Sequence, residues 1–192
     1  MLFFLTFPKF LFVDRKLSQA GLYLLADRVE EGLTGLSLTK VRLYDQQSKL
    51  ATFDKLEISL RFLKIMVVGL CEGKSLRAEL YPWSMSLNTE SFTCLSGTDS
   101  LSANLSVRKG LYGKMSMKGL KFQDTKIDEL SLELRGRVFR AKVKMMGFEL
   151  VGDGQLVFKP SDPLRSGING QVSGGGMKLV LSGTLERPQL LR

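Results

Sequence analysis

The sequence predicts a mainly β protein: a long curled antiparallel meander (a β-groove or open, barrel-like sheet) with a short N-terminal helix. Three observations predict it. From Gly35 almost to the end, apolar and polar residues alternate, as in a strand with one face buried and the other wet. Glycines and short polar turns punctuate the alternation, which joins neighbouring strands as hairpins. Helical spacing is confined to the stretch that follows Pro8.

The chain opens on the apolar run Met1–Phe7, then Pro8-Lys9, then Phe10–Val13. Neither run has the ~20 apolar residues of a spanning helix. No basic segment precedes them and no small-x-small cleavage site follows, so this is not a complete signal peptide. Three readings compete: the exit end of a membrane anchor, which we favour, an interfacial aromatic segment, or core. Phe3, Phe4, Phe7, Phe10 and Phe12 are candidate membrane contacts, because aromatic rings suit a membrane–water interface. Over part of 9–28, Phe10, Val13, Leu17 and Ala20 form one helical stripe, and Pro8 suits its first turn. Residues 1–13 thus read as an apolar N-terminal segment and 14–192 as a single β-rich domain.

The strands follow in order. Leu36 and Leu38 alternate with polar neighbours, as do Val41 and Leu43, then Leu56, Ile58, Leu60 and Phe62. Leu76, Ala78 and Leu80 come next, then Met85 and Leu87, then Leu101 to Val107. Met115 and Met117 face away from Lys114, Ser116 and Lys118. Leu130, Leu132 and Leu134 repeat the pattern, as do Ala141, Val143 and Met145. Leu156 and Phe158, then Met177, Leu179 and Leu181, complete it. About ten such strands make a sheet that twists and curls. The run Phe62–Gly69 is continuously apolar and is expected to be a short helix or a crossover. Ser173–Gly176 reads as a flexible turn or bulge.

One face of this sheet is apolar and cannot be left in water. Met115, Met117, Leu132, Val143 and Met145 lie on or near it. Their ordinary role is core filling; the sharper one is an adaptable groove for acyl chains or partner segments.

The formal charge is +9. Residues 105–145 alone hold eleven Lys or Arg against four acids, a net +7. Lys114, Lys118, Arg135, Arg137, Arg140, Lys142 and Lys144 form a candidate basic contact face for an anionic membrane surface, lipid or an acidic protein. Nucleic acid is disfavoured, because few aromatics interleave with these charges as stacking platforms.

The chain has no histidine, which removes the usual general base and the commonest transition-metal ligand. Cys71 and Cys94 read first as small buried apolar residues; in an oxidising space they could pair across neighbouring strands. Gly69–Ser75 resembles the end of a phosphate-binding loop, but its first glycine is displaced and a strand pattern follows where a helix is required. Asn104-Leu105-Ser106 is a sequon set inside a strand. Asp124, Asp128 and Glu129 read as solvated turn acids, and Trp83 as a packing or interface aromatic. No catalytic residue, metal or cofactor is expected.

The order of parts resembles the type II secretion system protein N (GspN) family, itself similar to AsmA-like envelope proteins. The residues that carry the resemblance are Phe7-Pro8, the strand Gly35–Leu43, Leu56–Leu60 running to Gly69, and the closing Gly183-Thr184-Leu185-Glu186-Arg187-Pro188. The resemblance implies an inner-membrane protein with its sheet on the periplasmic face, and a non-enzymatic accessory role in type II protein secretion through contacts with other secretion proteins. The alternative it implies is an AsmA-like lipid-binding or lipid-transfer protein. Members of the family usually carry a full N-terminal anchor, and the resemblance implies that residues 1–13 are the tail of one.

Overall fold

The computed structural model describes residues 8–191 apart from 20, 46–47, 109, 123–124, 160–164 and 185–186. It is mainly β, an antiparallel meander with one short N-terminal helix, as the alternation predicts. The chain is described as two compact units, Met1–Ser96 and Gly97–Arg192.

The first unit begins with α1 (Lys9–Gln19). Its end is set by Gly21 at φ 75°, with Leu22 N–H donating to the Leu17 carbonyl (2.9 Å) and Gly21 N–H to Ser18 (3.0 Å). This glycine-terminated cap satisfies the last carbonyls and stops the helix well short of residue 28. Phe10, Val13 and Leu17 do form the stripe, packed on the cluster of Leu24, Leu36, Leu38, Val41 and Leu56. Ala20 lies outside the described residues.

The strands of this unit are β1 (Tyr23–Leu25), β2 (Arg28–Glu31), β3 (Gly35–Tyr44), β4 (Lys49–Arg61), β5 (Lys64–Cys71), β6 (Lys74–Tyr81) and β7 (Ser84–Phe92). β1 and β2 pair with successive halves of one edge of β3. From β3 to β7 each strand pairs antiparallel with the next. The run Phe62–Gly69 is therefore neither helix nor crossover. It is a hairpin tip and most of β5, apolar on both faces because Val67 points inward while Val68 sits among the outer residues. A short apolar run cannot distinguish these cases by periodicity.

Midway along these strands the inward face changes parity. Inward residues are Leu36 and Leu38, then Val41 and Leu43; on β4 they are Ala51 and Phe53, then Leu56 and Ile58. The change falls at Lys40, whose φ is 51°, opposite the break between β1 and β2. β7 makes the same change at Ser91 (φ 48°), from Thr89 to the fully buried Phe92. A single left-handed residue rotates the strand and delivers the next side chain to the same face.

Beyond β7 the chain returns to the start of β4. Thr52 N–H donates to the Cys94 carbonyl (3.0 Å) and Ser96 N–H to Leu50 (2.8 Å). Cys71 and Cys94 are joined in a disulfide across a Cα separation of 6.3 Å, which corrects their first reading as unpaired apolar residues. The reason is tertiary: the return of the chain brings position 94 beside the end of β5. The phosphate-loop resemblance dissolves here too, since Glu72-Gly73 is a tight hairpin turn with φ 50° and 75°.

The second unit contains β8 (Ser100–Val107), β9 (Leu111–Phe122), β10 (Thr125–Gly136), β11 (Val138–Met145), β12 (Phe148–Val157), β13 (Gly167–Gly174), β14 (Met177–Gly183) and β15 (Pro188–Leu191). Each pairs antiparallel with the next. Its core is Leu134, Phe139 and Leu156. In register with Phe139 lie Gly154 and Gly170, and a Cβ on either would collide with the neighbouring strand backbone. The two glycines thus let β12 and β13 approach closely beside the Phe139 ring. The expected turn at Ser173–Gly176 is present, with Gly175 and Gly176 at its tip.

Candidate apolar site

In the first unit, the register aligns the inward residues of β4 to β7 in rows. The lowest is Leu56, Gly69, Leu76 and Thr89; the next is Ile58, Val67, Ala78 and Leu87; the last is Leu60, Ile65, Leu80 and Met85. The polar member, Thr89, is buried and donates its hydroxyl to the Ser75 carbonyl at 2.8 Å, so it costs the apolar face little.

The rows differ in cover. Toward the disulfide the face is closed by Phe53 and Phe92, whose ring centroids are 5.6 Å apart. In the middle row Ile58 and Val67 are half-buried against the cluster of Leu24, Leu36, Leu38, Val41 and Leu56, on which α1 also packs. The row Leu60, Ile65, Leu80 and Met85 is left 36–50% exposed. Beyond it stand the tips of two hairpins, Phe62-Leu63 and Pro82-Trp83. Phe62 is 94% exposed and Trp83 65%, with the Trp83 ring stacked on Tyr81 at 6.2 Å. The face is thus filled at one end and open at the other. Neither the exposed row nor the tips were singled out from the sequence as a site. Leu60, Leu80 and Met85 alternate there like any inward residue, and Ile65 lies in the run read as helix or crossover.

The sequence-derived apolar residues lie in the second unit and share one face. Met117, Leu130 and Val143 form one row, and Met115, Leu132 and Ala141 the next, while Met145 continues from Val143 along β11. All five candidates are half-buried.

The basic candidates occupy the opposite face, where the register interleaves them with acids. Lys144 pairs with Glu129 at 3.3 Å, Lys142 with Glu149 at 3.9 Å, and Arg135 and Lys114 meet Glu133 at 2.8 and 4.0 Å. Lys118 stands opposite Glu129, and Arg140 opposite Glu133 and Asp153. Arg137 is exposed in the β10–β11 turn. The hydrogen bond and charge of Arg135, with Lys114 and Arg140 nearby, hold the Glu133 carboxyl below its ordinary range. The bond to Glu79 raises Lys64 above the usual lysine value, against a smaller lowering by desolvation. Part of the net +7 of 105–145 is thus locally offset, with Lys114, Arg135, Lys142 and Lys144 each beside an acid.

Of the candidate membrane contacts, Phe10 is turned into the core and Phe12 is exposed, with Lys16 Nζ 5.9 Å from its ring centroid. Phe3, Phe4 and Phe7 lie outside the described residues. No described helix is long and apolar enough to cross a membrane. Among the described residues no group of three or more acids or cysteines is arranged to hold a metal. In the closing motif, Gly183 adopts φ 105° and pairs with Pro188, and Arg187 N–H donates to Thr184 Oγ1 at 3.2 Å; Leu185 and Glu186 lie outside the described residues. Its glycine and threonine thus have a conformational task.

The chain is 32% identical over 182 residues to an uncharacterized protein of Aquifex aeolicus, spanning 94% of this chain and 83% of that one. No family model matches the chain. No solved structure matches it.

Proposed function

The chain belongs to the family of that Aquifex aeolicus protein, and we propose that it is a non-enzymatic lipid-binding protein of the bacterial envelope, sheltering acyl chains against the apolar face of its meander. The observation that carries this is the row Leu60, Ile65, Leu80 and Met85. Four long apolar side chains are aligned on four adjacent strands and left 36–50% exposed on a face that is buried toward its other end. Such a row is costly in water and complementary to a hydrocarbon chain lying across the strands. The half-buried methionines of the second unit offer a similarly adaptable surface. The Cys71–Cys94 disulfide supports an oxidising compartment such as the periplasm. The absence of histidine supports a binding rather than a catalytic role.

The second reading is an accessory role in type II secretion, through contacts with other secretion proteins at the inner membrane. It is supported by the sequence resemblance carried on Phe7-Pro8 and Gly183–Pro188. Detergent-free purification of the full chain, followed by native mass spectrometry and solvent extraction, separates the two. Phospholipid bound at reproducible stoichiometry is the expected result. A protein that is lipid-free, and stays so when incubated with phospholipid vesicles, overturns the lipid-binding reading.

A further inference from the structure

We infer that the open end of the first unit docks end-on into the interface of an anionic phospholipid bilayer, with the hairpin tips carrying Phe62, Leu63 and Trp83 inserted among the headgroups. Three turns meet at this end. The β2–β3 turn presents Leu33, 74% exposed, and is tied to β4 by the Leu60 N–H donating to the Thr34 carbonyl at 2.7 Å. The β4–β5 tip presents Phe62 and Leu63, and the β6–β7 tip presents Trp83. α1 also starts here: Lys9 and Phe10 donate their backbone N–H groups to the Glu31 carboxylate at 3.1 and 3.0 Å.

The chemistry of the tips selects the partner. Bulky aromatic and aliphatic side chains at exposed turns, with a tryptophan among them, suit the membrane–water boundary. Lys64 is already paired with Glu79 at 2.8 Å, so Arg61, beside Phe62, is the cation the tips offer to an anionic headgroup. Leu63 supplies an independent argument. It sits at φ 54°, a conformation that favours glycine or asparagine, while the turns at Glu72-Gly73 and Met146-Gly147 carry glycine at the corresponding place. A bulky apolar residue held there, 53% exposed, does little for folding. The exposed row opens directly behind these tips, so docking would bring the apolar face to its source of lipid. This step deepens the lipid-binding reading and rests on it for the route, whereas docking stands on the tips alone.

Trp83 is the chain's sole tryptophan, so its emission reports the tip directly. The full chain is titrated with phosphatidylcholine vesicles with and without phosphatidylglycerol, then with vesicles brominated near the headgroup. A blue shift, quenching by the brominated lipid, and tighter binding with phosphatidylglycerol are expected. Leu63→Asn relieves the left-handed strain, so its thermal midpoint stays equal or rises while vesicle affinity falls about tenfold. Trp83 emission left unchanged by vesicles overturns the inference. So does a blue shift that follows protein concentration without vesicles, which would mark a second copy as the occupant. A lipid-free protein whose Trp83 is quenched sinks the sheltering role and keeps the docking. A lipid-loaded protein whose Trp83 is not quenched does the reverse.

Discussion

A Cβ placed on Gly69 would lie 2.6 Å from the ring of Phe53. That ring cannot easily retreat, because it packs on Phe92, which is fully buried. Gly69 is thus the gap into which the closed end of the apolar face is packed. Gly69→Ala overpacks it and is expected to cost about 1–3 kcal/mol. Urea unfolding should show a lower midpoint for Gly69→Ala, and an unchanged midpoint would mean that Phe53 has another place to go.

The disulfide closes the same end. Cys71 and Cys94 are 23 residues apart, and the bond ties the end of β5 to the segment that returns to β4. Cys71→Ser with Cys94→Ser, or reduction of the native protein, should lower stability by about 2–4 kcal/mol. Unfolding with and without reductant measures it. Equal stability under both conditions would show that the returning hydrogen bonds hold the closure unaided.

Glu133 and Arg135 govern a pH-dependent part of the stability. Arg135 holds the Glu133 carboxyl below the ordinary glutamate value of 4.5, first through its hydrogen bond and then through its charge. A carboxyl lowered in the folded state contributes stability above its unfolded pKa, and loses it as pH falls through the lowered folded value. The effect belongs to the acid limb, below about pH 4.5. Carboxyl NMR titration should place the Glu133 midpoint below that of an unpaired glutamate. Arg135→Gln should move it back up, though Lys114 and Arg140 will hold part of the shift.

The exposed apolar row separates binding from folding. Leu80→Asn and Ile65→Asn alter side chains 36% and 41% exposed, so each should lower stability by about 1–2 kcal/mol, less than a core substitution. If the row holds acyl chains, each should reduce co-purified phospholipid severalfold. Full lipid occupancy in both variants would move the binding surface elsewhere, the Met115 and Val143 face being the next to test.

Much of the fold was legible because alternation is a local signal. The face on which Leu130, Leu132 and Leu134 lie follows from the pleat alone. The parity change was written there too, in the step from Leu36 and Leu38 to Val41 and Leu43, but its meaning needed the backbone of Lys40. β5 was misread because both its faces are apolar. The Cys71–Cys94 pairing was legible only as an alternative, because nothing local brings residue 94 back to β5.

By itself, then, the sequence determined the antiparallel meander, the helix stripe of Phe10, Val13 and Leu17, and the division of the strands into an apolar and a polar face. Period two specifies which face a residue occupies and is silent on what lies above it. Leu56 and Leu60 read identically in the sequence, yet one is 7% exposed and the other 50%. Only the tertiary structure decided that difference. Cover is a long-range property, set here by the packing of Phe53 on Phe92 and by the closure at Cys71–Cys94, both at one end of the strands. The same long-range pairing set an acid beside Lys114, Arg135, Lys142 and Lys144, offsetting part of the basic composition of 105–145.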